Sequence, residues 1–177
     1  MEGLTPQEIV KEASEYQSVL EVGCGKGHYI RQVRALERAG IDIFKPAIDI
    51  ANESSGGIRF IVLDALKMVE RFGPNSFECV IGLDIVEHFD MQNATQLIVQ
   101  CEVVAAKCVM FFIPVGNHPQ TEDDMGLGND YYQTHRSTWY PEYMRSLGYE
   151  VWHYPDWHKN APPEKEKGAM CCRKVTT

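Results

Sequence analysis

The chain has 177 residues, with 17 lysines and arginines against 25 aspartates and glutamates, so its formal net charge at pH 7 is −8. That surplus of carboxylates would repel a polyanion on average, which disfavours DNA or RNA as a partner. The length predicts a single domain over residues 1–177 with a sizeable core.

The cysteines and the apolar runs indicate the compartment. Six cysteines are present without C-x-x-C spacing, and several lie inside apolar runs, which is typical of reduced, buried thiols and not of a disulfide framework or a zinc site. No apolar stretch has the length of a membrane span, and the N-terminus has no signal-peptide pattern. We expect a cytoplasmic protein without a membrane partner. The sequence carries no signal for an oligomeric state.

The first strand leads into a glycine-rich turn. A capping-box pattern at Thr5 predicts a short helix to about residue 15, and residues 18–23 then form an apolar strand. Alternate glycines allow positive φ and a close approach of ligand to main chain. An amphipathic pattern predicts a helix that ends at Gly40. The glycines of the turn are Gly23, Gly25 and Gly27.

Residues 43–50 are interpreted as the second strand, with Asp49 near its carboxyl end. Asp49 falls about 24 residues after Gly25, where nucleotide-binding sheets place a carboxylate that accepts hydrogen bonds from ribose. The alternative is that Asp49 only caps a turn. The polar run at 52–57 predicts a loop where a helix would normally join the second and third strands.

Two further strands end in carboxylates. Residues 58–63 are followed by Asp64 and Ala65, although Asp64 is equally suited to capping a short helix. Residues 77–84 end in Asp84, which is followed by Ile-Val-Glu-His. Carboxyl ends of parallel strands share one sheet edge, where open α/β sheets bind ligands. The remaining predicted elements are a helix at 92–106, a strand at 108–115, a polar and aromatic lid or acceptor loop at 116–135, a helix at 136–148, and strands at 149–154 and 169–175.

The glycine motif EVGCGKG and the segment LDIVEHF resemble the first and fourth motifs of class I S-adenosylmethionine (SAM) dependent methyltransferases. The resemblance implies a Rossmann-like α/β fold with a seven-stranded, mostly parallel sheet, an antiparallel last strand and helices on both faces. It implies SAM as cofactor and in-line methyl transfer to a small-molecule acceptor, with oxygen or nitrogen favoured over carbon. The cofactor-binding residues implied are Glu21, Gly23, Cys24, Gly25, Gly27, Asp49, Ile50, Asp64, Ala65, Asp84 and Ile85.

An oxygen acceptor of high pKa would need a general base, for which His88, His135 and His118 are the candidates. A structural role fits His88 equally well, whereas His135 begins a stretch that resembles an element bordering the acceptor pocket in related enzymes. An acceptor that is already nucleophilic needs no base. We predict no metal site, since His118 with Asp123 and Asp124 is typical of a solvated loop.

Two alternatives stay open. An NAD(P)-type oxidoreductase is disfavoured because His28 stands where the dinucleotide fingerprint needs a glycine. A methyltransferase-fold module without turnover would keep the same motifs. The chain has no Asn-Pro-Pro-aromatic or Asp-Pro-Pro-aromatic tetrad and no Pro-Cys pair, which argues against amino-directed and cytosine-C5 DNA methylation.

Overall fold

The structure, a computed structural model, describes residues 3–123, 125–160 and 166–176. They form a seven-stranded sheet of order β3-β2-β1-β4-β5-β7-β6. β7 runs antiparallel between β5 and β6, while the other neighbours pair in parallel, as predicted. The strands are β1 (Ser18–Val22), β2 (Glu37–Asp42), β3 (Arg59–Val62), β4 (Phe77–Leu83), β5 (Ala105–Val115), β6 (Glu150–Tyr154) and β7 (Gly168–Val175).

Helices cover both faces of the sheet. The first two pack on one face, through residues such as Ile9 and Ile48, and the third, fourth and sixth pack on the other, through residues such as Leu97 and Met144. None of the helices in the described residues has the length and apolar character to span a bilayer. The helices are α1 (Pro6–Ala13), α2 (Lys45–Glu53), α3 (Met68–Phe72), α4 (Met91–Val104), α5 (Asp130–Gln133) and α6 (Pro141–Ser146), and 3-10 turns lie at Ala65–Lys67 and Val86–His88.

The second strand was misplaced by the sequence analysis. Residues 43–50 are not a strand: β2 ends at Asp42, and most of the segment belongs to α2. Pro46 lies in the first turn of α2, where it is tolerated, and the buried residues of α2 lie on one helical face. The helix between the second and third strands is therefore not reduced.

The connection that lacks a helix is the one between β1 and β2. Residues 23–36, all of them described, form successive turns and no helix, so the predicted helix ending at Gly40 is wrong. Gly40 instead lies within β2, where a Cβ would lie only 2.7 Å from the Cys24 sulfur. Close packing of the glycine turn on the strand explains a residue that strand propensity disfavours.

The predicted helix at 136–148 is shorter, and α6 begins only at Pro141, with Tyr140 as its N-cap. Trp139 stays extended in a bridge with Gly116, and its indole N–H donates to the Ser137 hydroxyl at 2.8 Å. Ser137 therefore orients the Trp139 ring and lies three residues before the N-cap of α6.

Candidate active site

A cavity of about 580 Å³ opens at the carboxyl ends of β1, β2 and β4. It flanks the boundary between β1 and β4, where the strand order reverses direction, as ligand sites do in open α/β sheets. Nine of the predicted site residues line this cavity, and they are Glu21, Gly23, Cys24, Gly25, Asp64, Ala65, Asp84, Ile85 and His88.

The glycine turn forms one wall. Its three glycines all have positive φ, from 50° to 83°. A Cβ on Gly23 would lie 2.5 Å from the Ile85 side chain, so the main chain packs against Ile85 too closely to leave room for a side chain. Gly27 is not among the lining residues, and a Cβ there would lie 2.6 Å from the Phe60 ring. Gly27 therefore serves packing of the turn and not the cavity wall.

Glu21 lies at the base of the turn with 2 % of its surface exposed. Its carboxylate accepts a hydrogen bond from the Ile30 N–H at 2.9 Å. Burial raises the pKa of this carboxyl to about 8, against the lowering effect of that hydrogen bond, and the charge of Asp42 raises it further. Glu21 is thus a buried acid that a cationic group would stabilise in its ionised form.

The carboxylate at the end of the second strand is Asp42, not Asp49. Asp42 lines the cavity and accepts hydrogen bonds from the N–H groups of Gly25 and Phe44, both at 2.8 Å. Burial raises its pKa despite these two donors. Asp49 instead lies on the exposed side of α2, where it pairs with Lys45 at 2.6 Å.

Ile50 follows Asp49 in α2, is 36 % exposed, and also lies outside the cavity lining. Both residues lie away from the cavity; they were expected there because the end of the strand was placed eight residues too late, at residue 50 instead of Asp42. The signal that identifies Asp42 is its place at the end of the buried pattern Ala-Gly-Ile.

Asp64 and Asp84 follow β3 and β4. Asp64 caps the 3-10 turn Ala65–Lys67 by accepting from the Leu66 N–H at 3.0 Å, and it also lines the cavity, so its role as a cap does not remove it from the candidate site. Asp84 has φ of 52°, a conformation that is rare outside glycine and is often kept at functional sites. Although the cavity leaves Asp84 accessible to water, the surrounding protein raises its pKa to about 7.

Part of the 116–135 loop forms the wall opposite the strand ends. Lys26 of the glycine turn donates to the Met125 carbonyl at 3.0 Å, which joins this loop to the turn. The Asp123 carboxylate accepts from the N–H groups of Met125, Leu127 and Asn129, so it organises the loop backbone. Asp124, which the sequence analysis grouped with Asp123, lies outside the described residues. The loop residues that line the cavity are Met125, Asn129, Tyr131, Tyr132 and Gln133, and none was singled out as a site residue from sequence.

The three predicted histidines have different positions. His88 is buried yet lines the cavity, and burial lowers its pKa. His135 and His118 do not line the cavity; His135 lies behind His88, with the two ring centroids 4.9 Å apart. The His135 Nδ1 lies 2.6 Å from the carbonyl oxygen of His118.

Glu87, the residue before His88, was missed. It is 1 % exposed, and burial, together with the charge of Asp84, raises its pKa well above the usual range. Its Oε1 lies 4.0 Å from His135 Nε2. The motif LDIVEHF contains Glu87, but only the fold reveals that its carboxylate turns into the protein beside two histidines.

A mostly parallel sheet with a strand-order reversal, a glycine turn after β1 and carboxylates at the next strand ends is typical of nucleotide-binding α/β proteins. Residues 19–107, half of the chain, match the sequence model of a family described as a methyltransferase domain. The chain belongs to this methyltransferase family, which confirms the family that the sequence motifs predicted.

The individual proteins to which the chain is similar share only a small fraction of its residues. The chain is 26 % identical over 147 residues to a phosphoethanolamine N-methyltransferase of Plasmodium falciparum, covering 79 % of this chain and 50 % of that one, so it spans about half the length of that relative. Its fold is similar to the magnesium protoporphyrin IX methyltransferase of Synechocystis PCC 6803 with bound SAH (TM-score 0.64, 14 % identity, 97 % and 82 % of the chains). It is also similar to a SAM-dependent methyltransferase of Archaeoglobus fulgidus (TM-score 0.64, 15 % identity, 96 % and 95 %).

Proposed function

We propose that this methyltransferase transfers the methyl group of SAM to an oxygen or nitrogen atom of a small molecule. The observation that carries the proposal is the cavity of about 580 Å³, which has the size of a small-molecule pocket and is bounded by the loop as well as the strand ends. Its lining holds more carboxylates than cations, which suits neutral or amine acceptors better than a polyanion.

The residues present fit the cofactor. SAM carries an amine and a sulfonium against one carboxylate, and the cavity presents buried acids together with main chain free of Cβ atoms at Gly23 and Gly25. We assign Glu21 to the amino-acid end, Asp42 to the ribose and Asp64 to the adenine. Each Asp42 oxygen already accepts one N–H and has a second lone pair for a ribose hydroxyl.

When bound, SAM supplies a methyl group already activated by the sulfonium. The contribution of the chain is then to hold the acceptor in line, and orientation of this kind can lower a barrier by roughly 7 to 11 kcal/mol. We propose the 116–135 loop as the lid that closes over the acceptor, because Tyr131 and Tyr132 line the cavity. For an oxygen acceptor, His88 keeps the assignment as base, since His118 and His135 do not line the cavity.

The cofactor assignment is tested by a matched pair of variants, Asp42→Asn and Asp49→Asn. Calorimetric titration with SAM and with SAH should show affinity lowered about 10- to 100-fold for Asp42→Asn, the cost of weakening hydrogen bonds to a charged acceptor. Asp49→Asn should bind like the wild type, because Asp49 lies on α2 outside the cavity. Equal affinities would refute the role of Asp42, and tight binding of NAD without SAM binding would refute the function.

The acceptor class is tested with radiolabelled SAM against panels of small amines, phenols and alcohols. Transfer to a small amine or hydroxyl compound supports the proposal. Cofactor binding without transfer to any member, together with methylation of a protein or nucleic acid, would contradict it. Cofactor binding with no transfer at all would favour the module without turnover.

A further inference from the structure

Three side chains that the cofactor assignment does not use meet beside the cavity. They are Glu87 and His88, from the 3-10 turn after β4, and His135, from the 116–135 loop. Their carboxylate oxygen and ring nitrogens lie within 4.8 Å of one another. Elements far apart in sequence thus bring three potential metal ligands to one point.

Glu87 is the member whose carboxylate is buried without a hydrogen bond from any described residue, and its nearest imidazole nitrogen is His135 Nε2 at 4.0 Å. It is 1 % exposed, and within the described residues neither of its carboxylate oxygens has a hydrogen-bond partner. Arg136, the neighbouring cation, directs its guanidinium instead to backbone carbonyls, among them that of His88 at 2.9 Å. A buried carboxylate without a donor is costly, and such groups are usually paired or bound to a metal.

The two imidazoles present nitrogens toward the same point. The His135 Nδ1 must donate to the His118 carbonyl, which can only accept, and this orients Nε2 toward Glu87 Oε1 at 4.0 Å. A backbone carbonyl orients metal-binding histidines in the same way. The buried His88 Nδ1 has no hydrogen-bond partner within the described residues.

We propose that Glu87, His88 and His135 bind a divalent transition-metal ion. Two imidazoles and one carboxylate suit Zn²⁺, Fe²⁺, Co²⁺ or Ni²⁺ better than Mg²⁺ or Ca²⁺, and three protein ligands leave a coordination position open. Ligands around tetrahedral zinc lie about 3.4 Å apart. The ligand atoms, which are separated by up to 4.8 Å, must therefore approach one another by up to about 1.4 Å.

The backbone already holds the two ligand-bearing segments together. The N–H groups of Arg136 and Ser137 both donate to the Glu87 carbonyl, at 2.8 and 3.2 Å. A bound metal would add a second link between the 116–135 loop and the 3-10 turn after β4, next to the cavity that His88 lines. The assignment of His88 as base applies to the metal-free protein, because a His88 side chain that held a metal would not be free to accept a proton. In the loaded protein the ion would supply Lewis-acid activation of an oxygen acceptor. Metal binding itself does not rest on the proposed function.

The test uses the untagged 177-residue chain, first treated with a chelator. Calorimetry with Zn²⁺ and visible absorption with Co²⁺ should show one ion per chain, with Mg²⁺ bound at least 100-fold more weakly. Glu87→Gln and His135→Gln should each lower the Zn²⁺ affinity about 100-fold. His153→Gln is the matched control, since His153 is exposed on β6, and it should bind like the wild type.

Absence of Zn²⁺ and Co²⁺ binding, or binding that both ligand variants retain, would overturn the proposal. Circular dichroism and SAM titration verify that each variant is folded, which separates loss of the metal site from loss of the cofactor site. If the variants do not fold, anomalous scattering from wild-type crystals soaked with Zn²⁺ decides. A peak within about 2.5 Å of ligand atoms from all three residues supports the site. A peak elsewhere, or no peak, refutes it.

Discussion

Replacement of Glu21 by glutamine should make the protein without cofactor more stable at alkaline pH and weaken its binding of SAM. The carboxyl has a pKa of about 8 in the fold because it is buried, against 4.5 for an ordinary glutamate. Between these values the folded chain holds a proton that the unfolded chain has lost. The free energy of unfolding therefore falls as pH rises from about 4.5 to about 8, and glutamine removes that dependence.

The size of the effect follows from the same two pKa values. Between pH 5 and pH 8 the wild type should lose on the order of 3 kcal/mol more stability than the Glu21→Gln variant, at about 1.4 kcal/mol for each tenfold change in proton binding. The buried amide of glutamine can still accept from the Ile30 N–H, and any mismatch of its NH₂ group adds a cost that does not vary with pH. The difference between the two pH values therefore isolates the ionisation of Glu21.

Urea unfolding of both proteins at pH 5, 6, 7 and 8 measures this difference, with Glu53→Gln, an exposed site on α2, as the control. SAM titration at pH 7.5 gives the second half of the prediction, an affinity at least tenfold lower for Glu21→Gln. Parallel stability curves for variant and wild type would show that Glu21 is ionised without cost in the fold. An unchanged SAM affinity would remove Glu21 from the cofactor site.

Gly23→Ala should lower stability by roughly 1 to 3 kcal/mol in urea unfolding, because it combines positive φ with a Cβ 2.5 Å from Ile85; wild-type stability would contradict the close approach. Asp84→Gly should raise stability by up to about 1 kcal/mol, by relieving φ of 52°, while methyl transfer falls; a destabilised variant would show that Asp84 is not strained. Asp123→Ala should speed amide hydrogen exchange at 125–129, where three N–H groups lose their acceptor, with exchange in β4 unchanged; unaltered exchange in the loop would mean that Asp123 does not order it.

The sequence predicted correctly those elements that are determined by a capping pattern or an apolar run within a few consecutive residues. The capping box at Thr5 and Glu8 is present as expected, and α1 begins at Pro6. β1, β4 and β5 are apolar runs buried on both faces, and such strands can be recognised without knowledge of their neighbours. Their carboxyl ends fixed the positions of Glu21 and Asp84 at the cavity.

β2 failed because its determinants are not local. Its centre is Gly40, a residue that disfavours strands, and the reason for a glycine there is the Cys24 side chain, which packs against it from the glycine turn. The segment at 43–50 mixes apolar residues in an order that fits a strand or a helix, and only Pro46 in a first turn separates the two. The error moved the expected ribose carboxylate from Asp42, which ends β2, to Asp49 on α2.

The loop side of the site is set by tertiary structure alone. No spacing in the sequence connects Glu87 to His135, and their approach depends on the hydrogen bonds from Arg136 and Ser137 to the Glu87 carbonyl. The strand-end side of the site and its loop side share one physical feature, which is buried acids with raised pKa. These acids are Glu21, Asp42 and Glu87. Acids buried in this way lower the stability of the protein without ligand. They also strengthen the binding of a cation, because the cation stabilises the ionised carboxylate. The loss of stability and the affinity for a positively charged methyl donor or metal therefore have the same origin. A substitution that removes one of these buried acids should raise the stability of the protein and lower its affinity for the cation.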